Sequence, residues 1–388
     1  MNVPQPQIPT PNNYPYAVVC VISGSPQETL NALVLGESLQ TEGIEFDKIL
    51  LIYGEYTDLQ KQAFELVWDC VCCVPDIRQT LAAPDLAHQF NNLYLFTMLG
   101  YEKVLLMEAH LLALENIGRI FSNKAPALAA NDKSVAWSTN VMLPPGVLLG
   151  DGVVHCKADM LLLEPSSEEW DDITEYLVGL REESGEVGAF KSFIAKYFHG
   201  SWYSISHEYN FRERFVIFGG KRTYGAPAHE QVCRVVGFCE FIKPSDILFF
   251  GEEIAAFRET LPDILKEVID KIDCWTDFPL LAPVQSPPDR CFALYRCWFK
   301  TFFSLAERLS QSLGVTLFQV VRPAPTFPME QLEIMSKEAH ESREKKEKER
   351  LTRPPRRFHL GKNTLESRDR KIEVTKKAVV TRFRTNAL

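Results

Sequence analysis

Apolar positions along this chain fall into short runs separated by amphipathic stretches. Ala17 to Ser23 is apolar and β-branched, which predicts a buried strand. Ser25-Pro26-Gln27-Glu28 follows, with an N-cap serine, a proline at the first helical position and a glutamate at the third, so a helix starts there. Leu30, Leu33 and Val34 mark its buried face, and Gly43 marks its end. Lys48 to Tyr53 is the short continuous apolar run of a strand covered on both faces, and Thr57 with Gln60 opens a second helix carrying Phe64 and Val67. Val71 to Val74 then reads as a strand, Phe90 to Leu99 as a helix and Lys103 to Met107 as a further strand. This β-α-β-α-β alternation predicts an α/β fold with a mostly parallel sheet and helices on both faces. Ligands in such sheets bind beyond the carboxyl ends of the strands, which is where Glu108, Ala109 and His110 stand.

Further along, Ala158 to Leu163 predicts a strand, Glu168 to Arg181 an acidic helix and Val232 to Ile242 an alternating, strand-like segment. Beyond it, 252–273 and 290–313 have the period of amphipathic helices. The second of these is rich in aromatic residues, among them Tyr295, Trp298, Phe299, Phe302 and Phe303. Such a face suits a protein partner or a membrane surface, although core packing is its commoner use. The expected organisation is a flexible Pro, Gln and Asn-rich leader over 1–15, an α/β domain over 16–250, a helical appendage over 251–328 and a charged, largely disordered basic tail over 329–388.

Composition narrows the class. The chain has 388 residues, 46% hydrophobic and 24% charged, which is the balance of a soluble globular protein. Charged residues and prolines interrupt every long apolar stretch, so no membrane-spanning helix is expected. The first 27 residues are uncharged and lack the basic start of a signal peptide. Most of the ten cysteines sit in apolar runs, and Cys70, Cys72 and Cys73 have no second ligand pair at zinc-finger spacing; reduced thiols in the cytoplasm are the expectation.

Charge is uneven. From Lys337 to Leu388 there are 17 Lys plus Arg against 8 Asp plus Glu, a net of +9, and with -9 for the whole chain this leaves -18 for residues 1–336. So acidic a body argues against a nucleic-acid surface in the folded part. The basic tail has the chemistry to engage RNA, anionic lipid or an acidic protein, but a solvating tail is the commoner case. No glycine-rich phosphate loop, serine-hydrolase elbow or repeated histidine spacing occurs.

The stretch from Tyr16 to Pro244 resembles the glycogenin-like glycosyltransferases of family 8. Ala32-Leu33-Val34-Leu35-Gly36-Glu37-Ser38-Leu39 is similar to that family's first helix, with its A-L-V-L-G-x-S-L pattern. Tyr101 to Phe121 resembles its metal-motif strand, Y-x-K-x-x-x-x-D-A-D-x-x-x-x-x-N-I-x-x-x-F, and reads Glu108-Ala109-His110 where the family has D-A-D. Phe238 and Ile242-Lys243-Pro244 resemble the closing H-F-x-G-x-x-K-P-W segment, whose histidine falls on Gly237, whose loop glycine falls on Glu240 and whose final aromatic falls on Ser245. The family lysine before the metal motif falls on Asn92, the N-S-G motif on Lys157-Ala158-Asp159 and the D-Q-G motif on Glu186-Val187-Gly188.

The resemblance implies a Rossmann-like sheet of the nucleotide-sugar transferase (GT-A) type and retaining transfer of a hexose from a UDP-sugar to a glycan or protein acceptor. Glu108 and His110 would hold a divalent metal, manganese ahead of magnesium because one donor is an imidazole nitrogen. Ser23, Glu108 and Lys243 would bind the donor, with Lys243 on the diphosphate. Asp159 and Glu186 would position the acceptor or stabilise a cationic sugar. The altered polar positions leave a second class open: a catalytically inactive homologue that serves as a binding or scaffolding module, with a protein partner at the helical appendage.

Overall fold

The computed structural model describes residues 14–40, 43–130, 138–144, 156–184, 189–212, 233–238, 244–247, 261 and 287–321. The chain divides into two compact units, Met1–Pro325 and Thr326–Leu388, and the second lies wholly outside the described residues, as do residues 1–13 of the leader expected over 1–15.

The first unit is built on a seven-stranded sheet: β1 (Tyr16–Ile22), β2 (Asp47–Ile52), β3 (Cys70–Cys73), β4 (Lys103–Met107), β6 (Ala127–Ala130), β7 (Cys156–Leu163) and β8 (Tyr203–Ser204), in the order β3-β2-β1-β4-β7-β6-β8. β1, β2, β3 and β4 are mutually parallel. β7 runs antiparallel to β4 and to β6, and β8 is parallel to β6. The sheet is therefore mostly parallel with one reversed strand, as the alternation predicts. A second, three-stranded sheet joins β5 (Leu111–Ala113), β10 (Val235–Gly237) and β9 (Phe211–Arg212) in the order β5-β10-β9.

Alternation along β1 feeds two cores. Val18, Cys20 and Ile22 enter one, and Ala17 and Val19 the other, so the sheet is covered on both faces. On the first face lie α1 (Pro26–Ser38), α2 (Asp58–Val67) and α7 (Pro287–Leu313). On the second lie a 3-10 segment (His88–Thr97), α4 (Ser167–Ser184) and α5 (Phe190–Tyr197). The short helices are α3 (Ile77–Thr80), α6 (Pro244–Ile247) and α8 (Leu317–Val320).

Local chemistry accounts for the boundaries. Ser25 caps α1, its side chain accepting from Glu28 N, and Pro26 occupies the first turn. The expected capping box is only half formed, because the Glu28 carboxylate turns instead to Ser23, accepting from its backbone N at 2.7 Å and from its hydroxyl. α1 ends at Ser38, ahead of Gly43, with Leu39 as its cap. Thr57 and Gln60 form the complete box at α2. Gly36 in α1 is a close-approach position: a Cβ there would lie 2.8 Å from Trp68 Nε1, the atom that donates to Ala32 O at 3.2 Å.

The helix expected over Phe90 to Leu99 is instead a 3-10 segment over His88–Thr97, buried at every residue from Phe90 to Thr97. The alternating segment from Val232 reduces to β10 within the described residues. The helix expected over 252–273 lies outside them, apart from Leu261. In α7 the aromatic face is buried: Tyr295, Trp298, Phe299, Phe302 and Phe303 pack into the core shared with α1 and α2, and Trp298 stacks on Phe302 at 5.7 Å. That face is therefore spent on the core. No helix among the described residues is long and apolar enough to cross a membrane.

Candidate functional site

The chain runs from β1 out to β2 and β3 on one side and returns to place β4 on the other side of β1. The order of strands thus reverses between β1 and β4, and at such a point the loops after the two strands diverge and leave a crevice beyond their carboxyl ends. Ser23 follows β1 there, and Glu108 follows β4.

On the β1 side, the loops after β1 and β2 meet backbone to backbone. Gly54 allows this, because a Cβ at that position would lie 1.8 Å from Ser23 O. Ser23 is fixed by Glu28 from below and hydrogen-bonds the Tyr53 hydroxyl, whose pKa burial and then the Glu28 charge push up to about 12. The Tyr53 ring lies over His88 at 6.0 Å between centroids. Arg78 stands next to His88, Nη1 to Nε2 3.5 Å, and donates from Nε to both Asp76 oxygens at 3.1 and 3.0 Å. These hydrogen bonds hold the Asp76 carboxyl below the usual carboxylate range.

On the β4 side, Glu108, His110 and Asp159 come together. The antiparallel register of β4 on β7, with Met107 opposite Met160, sets Glu108 against Asp159, and Glu108 N donates to Asp159 O at 2.9 Å. The turn closes through Leu111 N to Glu108 O at 3.0 Å and swings the imidazole between two carboxylates. His110 Nδ1 lies 3.3 Å from Glu108 Oε2 and Nε2 lies 3.7 Å from Asp159 Oδ2; the three side chains are 19%, 29% and 19% exposed for His110, Glu108 and Asp159. The small sheet lies against the same turn. β10 pairs with β5 so that Gly237 faces Leu111, Phe238 N donates to His110 O at 3.2 Å, and a Cβ on Gly237 would lie 3.7 Å from His110 Nε2.

The two sides share one electrostatic environment. Cys20, fully buried on β1, has its thiol pKa pushed up by burial first and then by the charges of Glu28 and Glu108. With Asp159 these make an acidic crevice, and any anionic ligand seated in it needs a cation to accompany it. Glu108 and His110 together offer an oxygen and a nitrogen donor of the kind manganese accepts, so the donor set fits as a pair. It does not make a cage: the ring stands between the carboxylates, and no group of three His, Cys, Asp or Glu side chains among the described residues is arranged to hold a metal.

Of the residues expected from sequence, Ser23, Glu108, His110 and Asp159 are at this crevice; Glu186 and Lys243, like Glu240, lie outside the described residues. Asn92 is buried in the 3-10 segment. Sequence reasoning did not pair Asp159 with His110 and read Glu28 only as a capping residue. The first depends on the β4–β7 register, which no local pattern encodes. The second had one available signal, a carboxylate six residues beyond the carboxyl end of β1.

No family model matches the chain. It is 26% identical over 208 residues to "Uncharacterized protein R707" of Acanthamoeba polyphaga mimivirus, covering 51% of this chain and 72% of that protein. Solved structures similar to it include the galactosyltransferase LgtC in complex with donor and acceptor sugar analogs, at 13% identity, 67% of this chain, 99% of that chain and a TM-score of 0.45. The apo WbbM bifunctional glycosyltransferase is similar at 11% identity, 68% of this chain, 50% of that chain and a TM-score of 0.47. GlyE of Streptococcus pneumoniae is similar at 15% identity, 70% of this chain, 66% of that chain and a TM-score of 0.41.

Proposed function

We propose that this chain is a cytoplasmic glycosyltransferase of the nucleotide-sugar (GT-A, family 8) type, which transfers a hexose from a UDP-sugar to a glycan or protein acceptor with retention of configuration. The observation that carries the reading is the meeting of Glu108, His110 and Asp159 at the strand-order reversal, at the motif positions of the family the sequence resembles. Gly237, the position of the family's closing histidine, faces the same imidazole, which supports the alignment.

In this reading the nucleoside lies over the β1 side, where Tyr53 and His88 offer ring faces and Ser23 a hydroxyl. Glu108 and His110 would hold manganese, which would supply positive charge to stabilise the departing diphosphate. Lys243 adds a fixed positive charge to that diphosphate. Asp159 lies across the imidazole from Glu108 and orients sugar hydroxyls or stabilises positive charge at the anomeric carbon; Glu186 serves the acceptor.

A second reading, a catalytically inactive homologue that binds or scaffolds a partner, is favoured by the same Gly237, which brings no side chain to His110 where the family brings a ligand. Incubating the purified chain with a panel of UDP-hexoses and manganese, and following UDP release by chromatography, separates the two. Release abolished in Glu108→Ala supports the transferase; intact donor across the panel, together with a partner captured through residues 290–388, supports the scaffold.

A further inference from the structure

One edge of the main sheet carries a cluster of thiols that the proposed transfer does not use. Among the described residues β3 is an edge strand paired only with β2, and its sequence is Cys70-Val71-Cys72-Cys73. Strand alternation puts residues 70 and 72 on one face and residue 73 on the other. Cys70 and Cys72 lean together against the core that holds Tyr53 and Val21, with their Sγ atoms 3.3 Å apart. Cys73 turns away and pairs with the Tyr56 hydroxyl at 2.7 Å. Both thiols of the pair are half-buried, and Cys73 is exposed.

We propose that Cys70 and Cys72 form a redox-active dithiol, which hydrogen peroxide converts into an intrastrand disulfide. The Cys70 thiolate attacks one peroxide oxygen, the O–O bond breaks, and the other oxygen leaves as water after taking up a proton. This gives the Cys70 sulfenic acid. The Cys72 sulfur then attacks Cys70 Sγ, forming the S–S bond as the S–O bond breaks, and the hydroxyl leaves as a second water with the Cys72 proton. Two thiols and one peroxide become one disulfide and two waters, so the thiols supply both electrons.

The direction of attack follows from the hydrogen bond within the pair. Donation by Cys72 draws the Cys70 thiol pKa below its ordinary value, while Cys72 is held well above its own by the same bond and by burial. Cys70 is therefore the nucleophile and Cys72 the resolving thiol. Cys70 and Cys73 have Cys-x-x-Cys spacing, but the strand sends them to opposite faces, so that pair does not close without dissolving β3. A rise of about 3.3 Å per residue sets the two Cα atoms of Cys70 and Cys72 about 6.6 Å apart, near the upper limit of disulfide geometry. A bond formed at that limit is readily reduced, which is the character of a reversible site rather than a structural one.

The test uses the full chain and hydrogen peroxide, followed by alkylation, trypsin and mass spectrometry of the peptide over 62–78, which contains all three cysteines of β3. The expected product is this peptide lighter by two hydrogens, with one cysteine alkylated, and restored to three alkylations by dithiothreitol. Cys73→Ser keeps that loss, whereas Cys70→Ser and Cys72→Ser abolish it. A peptide still triply alkylated after peroxide, one carrying sulfinic acid at Cys70, or a disulfide that requires Cys73 overturns the proposal; the wild-type measurement decides even where a serine variant does not fold.

Discussion

The Nε2 atom of His110 lies 3.7 Å from Oδ2 of Asp159, across a strand pair whose members are separated by 48 residues of chain, between Met107 in β4 and Cys156 in β7. Glu108 closes on the opposite nitrogen at 3.3 Å. An imidazole between two carboxylates at a strand-order reversal is an expensive arrangement for a merely structural loop, because two partly buried negative charges must be balanced there. It is economical where a cation and a polyanionic ligand are to be bound together.

If Gly237 occupies the place of a lost ligand, restoring the side chain strengthens the site. Gly237→His is expected to raise manganese affinity by about tenfold, equivalent to about 1.4 kcal/mol. The new Cβ meets Leu111 Cδ2 at 3.1 Å, a contact the leucine must yield slightly to accept. Manganese titration followed by electron paramagnetic resonance checks this, with Gly237→Ala as the control for the added Cβ; equal affinities in the wild type and the histidine variant count against the alignment.

Gly36 tests why the first-helix motif holds a glycine. On helix propensity alone Gly36→Ala gains about 1 kcal/mol. A Cβ 2.8 Å from Trp68 Nε1 reverses the sign. The expected outcome is a net loss of stability in urea unfolding, reduced when Trp68→Leu is introduced alongside; a stabilised Gly36→Ala would show that α1 and α2 are not packed as described.

Phe302 probes whether α7 belongs to the core. It is fully buried and stacked on Trp298. Phe302→Ala is expected to cost about 3–5 kcal/mol, by lost burial and by the cavity left behind. A thermal midpoint that hardly moves would mean that the aromatic face is held in reserve for a partner.

Asp76 predicts a pH dependence. Hydrogen bonds from Arg78 lower its pKa from the ordinary 3.8. A group depressed in the folded state stabilises it fully above the unfolded value and loses that contribution as pH falls through the folded one. Asp76→Asn is therefore expected to be less stable than the wild type at pH 7, and the gap is expected to narrow as pH falls below about 4. Urea midpoints at several pH values measure this; a gap constant with pH would place the effect in the α3 cap, for which Asp76 is the N-cap residue.

What was legible in the sequence follows from range. β1, α1, β2, α2 and β4 announce themselves through local period and caps, such as Ser25 and Thr57, that act within four residues. β5, β8 and β9 are two or three residues long and exist only through their partners, so no local pattern marks them, whereas β10 lies within the alternating segment from Val232. The site divides the same way. Glu108 and His110 follow a strong strand and were visible from position, whereas the pairing of His110 with Asp159 and the approach of Gly237 depend on registers between distant segments. Glu28 shows local reading reaching its limit: the residue is where the capping pattern puts it, but its carboxylate serves Ser23.

The most direct test of the central claim is calorimetric titration of UDP into the purified chain with manganese, with magnesium and with EDTA, in the wild type and in Glu108→Ala. The account predicts binding that requires the metal, is stronger with manganese, and weakens by about tenfold or more in Glu108→Ala, a loss of about 1.4 kcal/mol or greater. UDP binding that is unchanged by EDTA and by Glu108→Ala, or no binding under any of these conditions, would contradict it.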